Sequence, residues 1–332
     1  METWYLPHAA ASLPPARRVL VLAPHPDDEI FGCGGCLALY RQAGAAVDVQ
    51  VFTDGAGYLP ANQRAQVFGV RQAETNAALA VLGLGAAAFL SLPDRSLSGH
   101  AGLANLVSAL IVQHRPDVVF APSLWEVHPD HLALGRAALA ALQAVADREM
   151  APTLLLYEVG APLRPELLID ITSVWQLKQQ AMTCFVSQQN QQDYARHIAS
   201  LNAYRTYTLP AAVRYAEALA CVRPVELNAL SAAGPDPARS LMGRWIEAAL
   251  AAADAQAEFM QLALVRSEGV LAQVQQDAAR TAQDLEQARA EAARHEASLR
   301  AAEHSLLVLL ASRSWRITAP LRWLSRRLLG RD

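Results

Sequence analysis

The stretch Val19-Leu20-Val21-Leu22-Ala23-Pro24-His25-Pro26-Asp27-Asp28-Glu29 decides the reading of this chain. It opens with a short apolar run containing β-branched residues and ends in proline-rich, charged sequence. A run of that kind reads as a strand buried in a parallel sheet. One imidazole and three carboxylates follow it directly. Carboxylates crowded at one strand end repel one another unless a cation neutralises them. The C-terminal edge of an open α/β sheet is also where ligands bind. A divalent metal site is the simplest resolution.

A second segment has the same form. Val118-Val119-Phe120-Ala121 is another apolar strand candidate, and it leads into Pro122-Ser123-Leu124-Trp125-Glu126-Val127-His128-Pro129-Asp130-His131. Two strands thus deliver His, Asp and Glu toward one sheet edge. Catalytic zinc commonly takes three protein ligands of these types and keeps one position for water. The two segments supply such a set, with residues left over for acid–base work.

These paired segments resemble the signatures of the PIG-L/LmbE-like zinc N-deacetylases, the group that includes GlcNAc-PI de-N-acetylase. The likeness continues through Arg71-Gln72-Ala73-Glu74, Leu92-Pro93-Asp94, Tyr157-Glu158, Lys178, Ser187-Gln188 and Tyr215-Ala216-Glu217, and it covers roughly residues 17–222. Members of that family remove an acyl group, usually acetyl, from an amino sugar or its conjugate. The resemblance implies Zn2+ held by His25, Asp28 and His131, with Asp27 taking the proton from water. It implies an acid or oxyanion-stabilising role for His128. Arg71 and Asp94 match positions that line the substrate pocket. Enzymes of the family's thiol-cofactor branch tend to carry an aromatic residue where this chain has Glu126, which points away from that substrate class.

Read as chemistry, two nitrogens and one oxygen make a donor set that zinc accepts while keeping a water. Such a site lowers the water pKa from about 9 to about 7. Amide hydrolysis also needs a base for the water and an acid for the leaving amine. Asp27 and His128 divide these tasks, or Asp27 serves both in turn. Asp27 can alternatively act as a hydrogen-bond acceptor supporting the ligands, and His128 as a loop cap. Asp130 is placed in sequence to orient His128 and raise its basicity. Arg71, Asp94 and Glu126 suit sugar hydroxyls, and an arginine also suits phosphate. Glu29 supports the following helix N-terminus, where a carboxylate is favoured.

The 332 residues allow one large domain with an appendage, and the 53% hydrophobic content supports a substantial core. Net charge of −3 argues against a general nucleic-acid binder. Lys178 is the sole lysine among 28 basic residues. Of the four cysteines, Cys33 and Cys36 have redox-motif spacing, but small residues opening a helix against the sheet explain them better. Residues 1–5 do not read as a signal peptide, and no apolar stretch reaches the length of a membrane span. The expected location is cytoplasmic, at most peripheral on the inner membrane.

Strand candidates at 18–23, 47–53, 88–92, 117–121, 153–159 and 167–171 alternate with helical stretches near 33–43, 61–83, 101–114 and 132–147. That order predicts a Rossmann-like, mostly parallel sheet with helices on both faces. Residues 173–222 read as helix, loop, helix. The expected organisation is a deacetylase domain over 1–225, a linker at 226–239, a long helix with coiled-coil potential over 240–310, and a basic amphipathic tail at 311–332. Positions 264, 271, 278, 285, 292, 299 and 306 are Leu or Ala, an unbroken heptad position. The companion position is nearly half polar, so a marginal homo-oligomeric coiled coil through 264–309 competes with a lone solvated helix. From 313 to 332 six arginines and one acid interleave with two tryptophans and five aliphatic residues. That pattern fits a helix lying on an anionic membrane. An ordinary helix docked on a protein partner fits it too. The stretch from Ser314 to Arg322 resembles the tails of bacterial surface-polysaccharide glycosyltransferases.

Three functions stay open on sequence alone: deacetylation of an amino sugar or glycoconjugate, with lipid-linked substrates and polysaccharide precursors included; hydrolysis of another N-acyl bond, such as that of an acylated antibiotic; and a membrane-associated adaptor of a glycan assembly complex with a vestigial site.

Overall fold

Strand β1 (Arg18–Ala23) alternates its side chains between two interiors, as a period of two demands. Val19, Val21 and Ala23 face one buried cluster; Leu20 and Leu22 face another. A strand buried on both faces needs helices above and below it. In the computed structural model, which describes residues 7–57, 59, 61–146, 150–227 and 237–329, those helices follow in turn. They are α1 (Asp28–Gln42), α2 (Ala61–Val81), α3 (Leu103–His114) and α4 (Pro129–Ala146). They alternate with β2 (Ala46–Thr53), β3 (Ala88–Leu92), β4 (Val118–Pro122) and β5 (Thr153–Tyr157). Then come β6 (Leu167–Asp170), α5 (Trp175–Thr183), α6 (Val186–Gln189), α7 (Tyr194–Tyr204) and β7 (Ala216–Val222).

The seven strands run in the order β3-β2-β1-β4-β5-β7-β6. Strands β1 to β5 are parallel, and β7 is antiparallel to both of its neighbours. The mixed α/β architecture and the six expected strands are present. The seventh corrects the reading of 173–222 as helix, loop, helix, because the last of these parts holds a strand. Its sequence, Ala-Glu-Ala-Leu-Ala-Cys-Val, has helix-forming composition, yet all seven residues are buried between β5 and β6. Tertiary pairing overrides local preference here.

The chain leaves β1 toward one side for β2 and β3, and returns on the other for β4 and β5. The reversal lies between β1 and β4, and a crevice opens at the carboxyl ends of such strands. Both chemistry-bearing segments begin there.

Helix α1 packs tightly on the sheet. A Cβ on Gly32 would lie 2.2 Å from the Tyr157 ring, so only glycine fits. Around Cys33 (φ −140, ψ 15) the helix departs from regular geometry. The Glu217 carboxylate on β7 accepts from the N–H groups of Gly35 and Cys36, at 2.8 and 2.7 Å. Lys178 Nζ pairs with that carboxylate at 2.6 Å and also donates to the Phe31 carbonyl and Asn202. The lone lysine is therefore a buried structural cation. Burial holds the Cys33 and Cys36 thiols well above their ordinary range, and both are unbridged.

The first compact unit runs to Ala253 and the second from Asp254. Helix α8 (Pro237–Ala311) begins within the first. Its Leu241 and Trp245 are buried, and Trp245 stacks on Trp125 at 6.1 Å. The first unit thus extends past the domain end expected at 225. Residues 1–5, where a leader was sought, and most of the expected linker lie outside the described residues. In the second unit, α8 continues as an exposed helix, followed by α9 (Arg313–Ile317) and α10 (Ala319–Leu329). Among the described residues, no helix is long and apolar enough to cross a membrane.

Candidate metal and acid–base site

Helix α1 begins five residues after β1, and α4 begins seven residues after β4. This places Asp28 and His131 in the opening turns of two helices at neighbouring strand ends. His25 sits on the β1–α1 turn, its N–H donating to Asp28 Oδ2 at 2.9 Å. Asp27 takes φ 143, ψ −30, a backbone conformation that L-residues rarely adopt. Strain of this kind, about 1–3 kcal/mol, persists where surrounding structure imposes it and concentrates at functional turns. The Glu29 carboxylate holds the turn by accepting from the Asp27 N–H at 3.1 Å.

Three donor atoms converge. His25 Nδ1 lies 3.0 Å from Asp28 Oδ2 and 3.1 Å from His131 Nε2, and the latter two are 3.2 Å apart. A single ring proton can serve only one of those three contacts, whereas a cation serves all of them. Zinc–nitrogen bonds of 2.0–2.1 Å in a tetrahedron imply an edge of about 3.3 Å. The donor set therefore fits zinc in chemistry and spacing. Two looser groups overlap it: His25 with His128 and His131, and His25 with Asp94 and Asp130. The tighter trio leaves a carboxylate oxygen near the outer nitrogen of each ring, although His131 Nδ1 makes no hydrogen bond. His25 Nε2 is 3.1 Å from Asp94 Oδ1, and His131 Nδ1 is 3.3 Å from Glu126 Oε2. Metal-bound histidines almost always have such a partner.

The electrostatics agree. Burial alone would lower His25, but Asp130, Asp28 and Asp94 hold it well above its ordinary value. Burial likewise opposes the shift of His131, which Asp28 carries to about 9. Burial would raise Asp28, yet the two imidazoles hold it well below the carboxylate range. The pocket is built to keep positive charge at this point, as protons or as a metal ion that displaces them.

Asp27 lies beside this cluster. Its carboxylate accepts from Arg71 Nη2 at 2.7 Å. Arg71 also donates to the carbonyls of Pro26 and Gly55, so it fastens the two loops flanking the base candidate. Burial lifts Asp27 to about 7, with Arg71 opposing and Asp28 adding to the rise. Burial, then Asp27, lifts Glu29 to about 8. His128 is half-buried. Burial, then His25 and His131, push it below its ordinary value. The Asp130 N–H lies 3.3 Å from His128 Nδ1, which makes Nδ1 the acceptor and leaves the proton on Nε2.

Two expected roles change. Asp130 does not orient His128 through its carboxylate. That group accepts from the N–H of Arg95 at 2.6 Å and of Leu97 at 3.0 Å, and faces His25 Nε2 at 3.5 Å. It fixes the loop carrying Asp94 and Arg95, where Arg95 has φ 64. Glu126, expected to accept from sugar hydroxyls, lines the cavity but is also engaged by the backbone. It accepts from the N–H groups of Val159, Gly160 and Ala161 and backs His131.

A cavity of about 320 Å3 opens onto the site. Eight of the nine sequence-derived residues line it; Asp130 is fully buried behind. Phe31, Arg95, Val127, Gln191 and Tyr194 also line it and escaped the sequence reading. Nothing local marks them. Phe31 and Tyr194, for instance, come from different helices and stack at 6.0 Å.

Residues 20–142 match the PIG-L family model, described as GlcNAc-PI de-N-acetylase. A 1D-myo-inositol 2-acetamido-2-deoxy-alpha-D-glucopyranoside deacetylase of Rhodococcus erythropolis is 33% identical over 160 residues, covering 40% of this chain and 54% of that protein. The chain thus spans about half the length of that curated relative. A 4-oxalmesaconate hydratase of Pseudomonas putida is 26% identical over 235 residues, covering 63% of this chain and 91% of that protein. Among solved structures, the N,N'-diacetylchitobiose deacetylase from Pyrococcus horikoshii superposes with TM-score 0.53 at 24% identity, covering 63% of this chain and 85% of that one. At that identity the likeness is one of fold.

Proposed function

We propose, for a chain whose residues 20–142 match the PIG-L family model, that it hydrolyses the N-acetyl group of an amino sugar or glycoconjugate. The observation that carries this reading is the convergence of His25 Nδ1, Asp28 Oδ2 and His131 Nε2 beside the Asp27–Arg71 pair. Zinc held by those three residues would supply Lewis acidity and a water of lowered pKa. Asp27 accepts the proton of the attacking water, and Arg71 holds its carboxylate in place. His128, with its proton on Nε2, donates to the developing oxyanion or to the departing nitrogen, because an amine anion is too basic to leave. Asp94 and Arg95 at the cavity wall suit the hydroxyls of a sugar, and Phe31 and Tyr194 offer it an apolar face.

Acetate release from N-acetylglucosaminides, tested with and without a lipid diphosphate, checks the proposal. Full-length protein should release acetate in the presence of zinc, and Asp27→Asn should not. No release from any of these conjugates would refute the amino-sugar reading. The 235-residue match to a hydratase favours a second reading, water addition across a carbon–carbon double bond. Loss of an unsaturated acid's ultraviolet absorbance without acetate release would support it.

The exposed heptad leucines Leu264, Leu271, Leu285 and Leu299 support self-association of the long helix at the cytoplasmic location read from the sequence. Sedimentation velocity of the full chain would show a dimer or larger; a monomer at high micromolar concentration would remove this part of the reading.

A further inference from the structure

We propose that the end of the chain, from Leu306 through α10, docks on an anionic lipid bilayer and lies in its surface. This inference does not rest on the deacetylase reading. Its first support is charge. Residues 313–332 carry six arginines and one aspartate, a net of +5, in a chain whose net is −3. The other 312 residues therefore carry −8. An anionic surface repels the net charge of the rest of the protein and attracts this end.

The second support is apolar exposure at the same end. Leu306, Leu307, Val308, Leu309 and Leu310 are 58, 63, 57, 57 and 41% exposed. Five consecutive helical positions at about 100° each reach around the whole circumference. A two-helix seam would cover Leu306 and Leu309 and leave the other three in water. A bilayer surface has no seam to match and takes up whichever of these side chains face it. Just beyond, Trp315, Ile317, Leu321 and Trp323 are 38, 76, 70 and 58% exposed. Tryptophan beside arginine is the side-chain chemistry of the membrane interface.

The third is the join between α9 and α10. The Arg322 guanidinium stacks over the Trp315 ring at 3.6 Å and donates to Thr318 Oγ1 at 2.5 Å and to the Trp315 carbonyl. The clamp ties the two helices across the break that Pro320 follows, so the basic and aromatic groups are presented together. The helices are too short and too charged to cross a bilayer, so they lie along it.

The test is co-sedimentation of the full chain with extruded vesicles of phosphatidylcholine alone, or of phosphatidylcholine with about one third phosphatidylglycerol. Each arginine near such a surface contributes about fivefold in partitioning, from roughly 1 kcal/mol apiece. Replacing the exposed Arg313, Arg316 and Arg326 by Gln, with Arg322 left in place, should weaken binding about 100-fold. Leu321→Ser with Trp323→Ser should weaken it while leaving helicity by circular dichroism unchanged. Raising salt should release the wild type. Failure of the wild type to bind anionic vesicles overturns the proposal, as does equal binding to neutral ones or undiminished binding of the triple arginine variant. Concentration-dependent self-association of a chain that ignores vesicles would assign the surface to a second copy.

Discussion

Replacing Glu126 by Gln separates a metal-site residue from a loop clamp. The carboxylate accepts from Val159 N at 2.6 Å and from Gly160 N at 3.1 Å, and lies 3.3 Å from His131 Nδ1. Gly160 permits this approach, since a Cβ there would lie 3.1 Å from Glu126 Oε2. Glutamine keeps the shape and removes the charge. Its NH2 must then face either a backbone N–H or the His131 ring proton, both of them donors. Losing hydrogen bonds to a charged group costs about 1.5–3 kcal/mol of stability. Losing the partner behind a metal-bound histidine typically costs 10–100-fold in metal affinity, or about 1.4–2.7 kcal/mol. Competition with a chromophoric chelator measures the second quantity, and urea unfolding of the metal-free protein measures the first. We expect both to fall. Metal affinity within twofold of wild type alongside a clear loss of stability would refute the link to His131 and leave Glu126 as a clamp on 159–161.

Three further outcomes follow from the geometry. Asp27→Asn removes the base and spares the ligands, so metal content should hold while kcat falls about 10²–10⁴-fold; activity within a few-fold of wild type would sink the assignment. Arg71→Met removes the charge that opposes the burial shift of Asp27. Because the base must be ionised, the acid limb of kcat/KM should move to higher pH, and an unmoved limb would count against Asp27. Gly32→Ala forces a Cβ to within 2.2 Å of Tyr157, and overpacking of this kind costs about 1–3 kcal/mol. Thermal unfolding should show a lowered Tm, with an unchanged value contradicting the close packing of α1 on β5.

The sheet edge was legible because β1 and β4 are short apolar runs, and each hands over to charged residues at its carboxyl end. Period-two burial on both faces leaves that signature without any alternation in the sequence. The start of α1 was read too late, at 33 instead of Asp28. His25-Pro26-Asp27-Asp28 reads as loop, and only the φ of Asp27 shows where the turn closes. Strand β7 was hidden by its own composition, and what places it is its ladder pairing with β5 and β6. The backbone contacts of Asp130 and Glu126 were not legible for the same reason. Their partners lie 33 to 35 residues distant, in loops whose course only the folded sheet determines. Ligand identity was local, carried within a few residues of a strand end, whereas the supporting contacts were not.

Metal content of the full chain, purified without added metal and compared with His25→Ala, Asp28→Ala and His131→Ala, tests the site most directly. The account predicts about one zinc per wild-type chain and a large loss in all three variants, with Asp27→Asn unaffected. Wild-type metal content in the three ligand variants would contradict it.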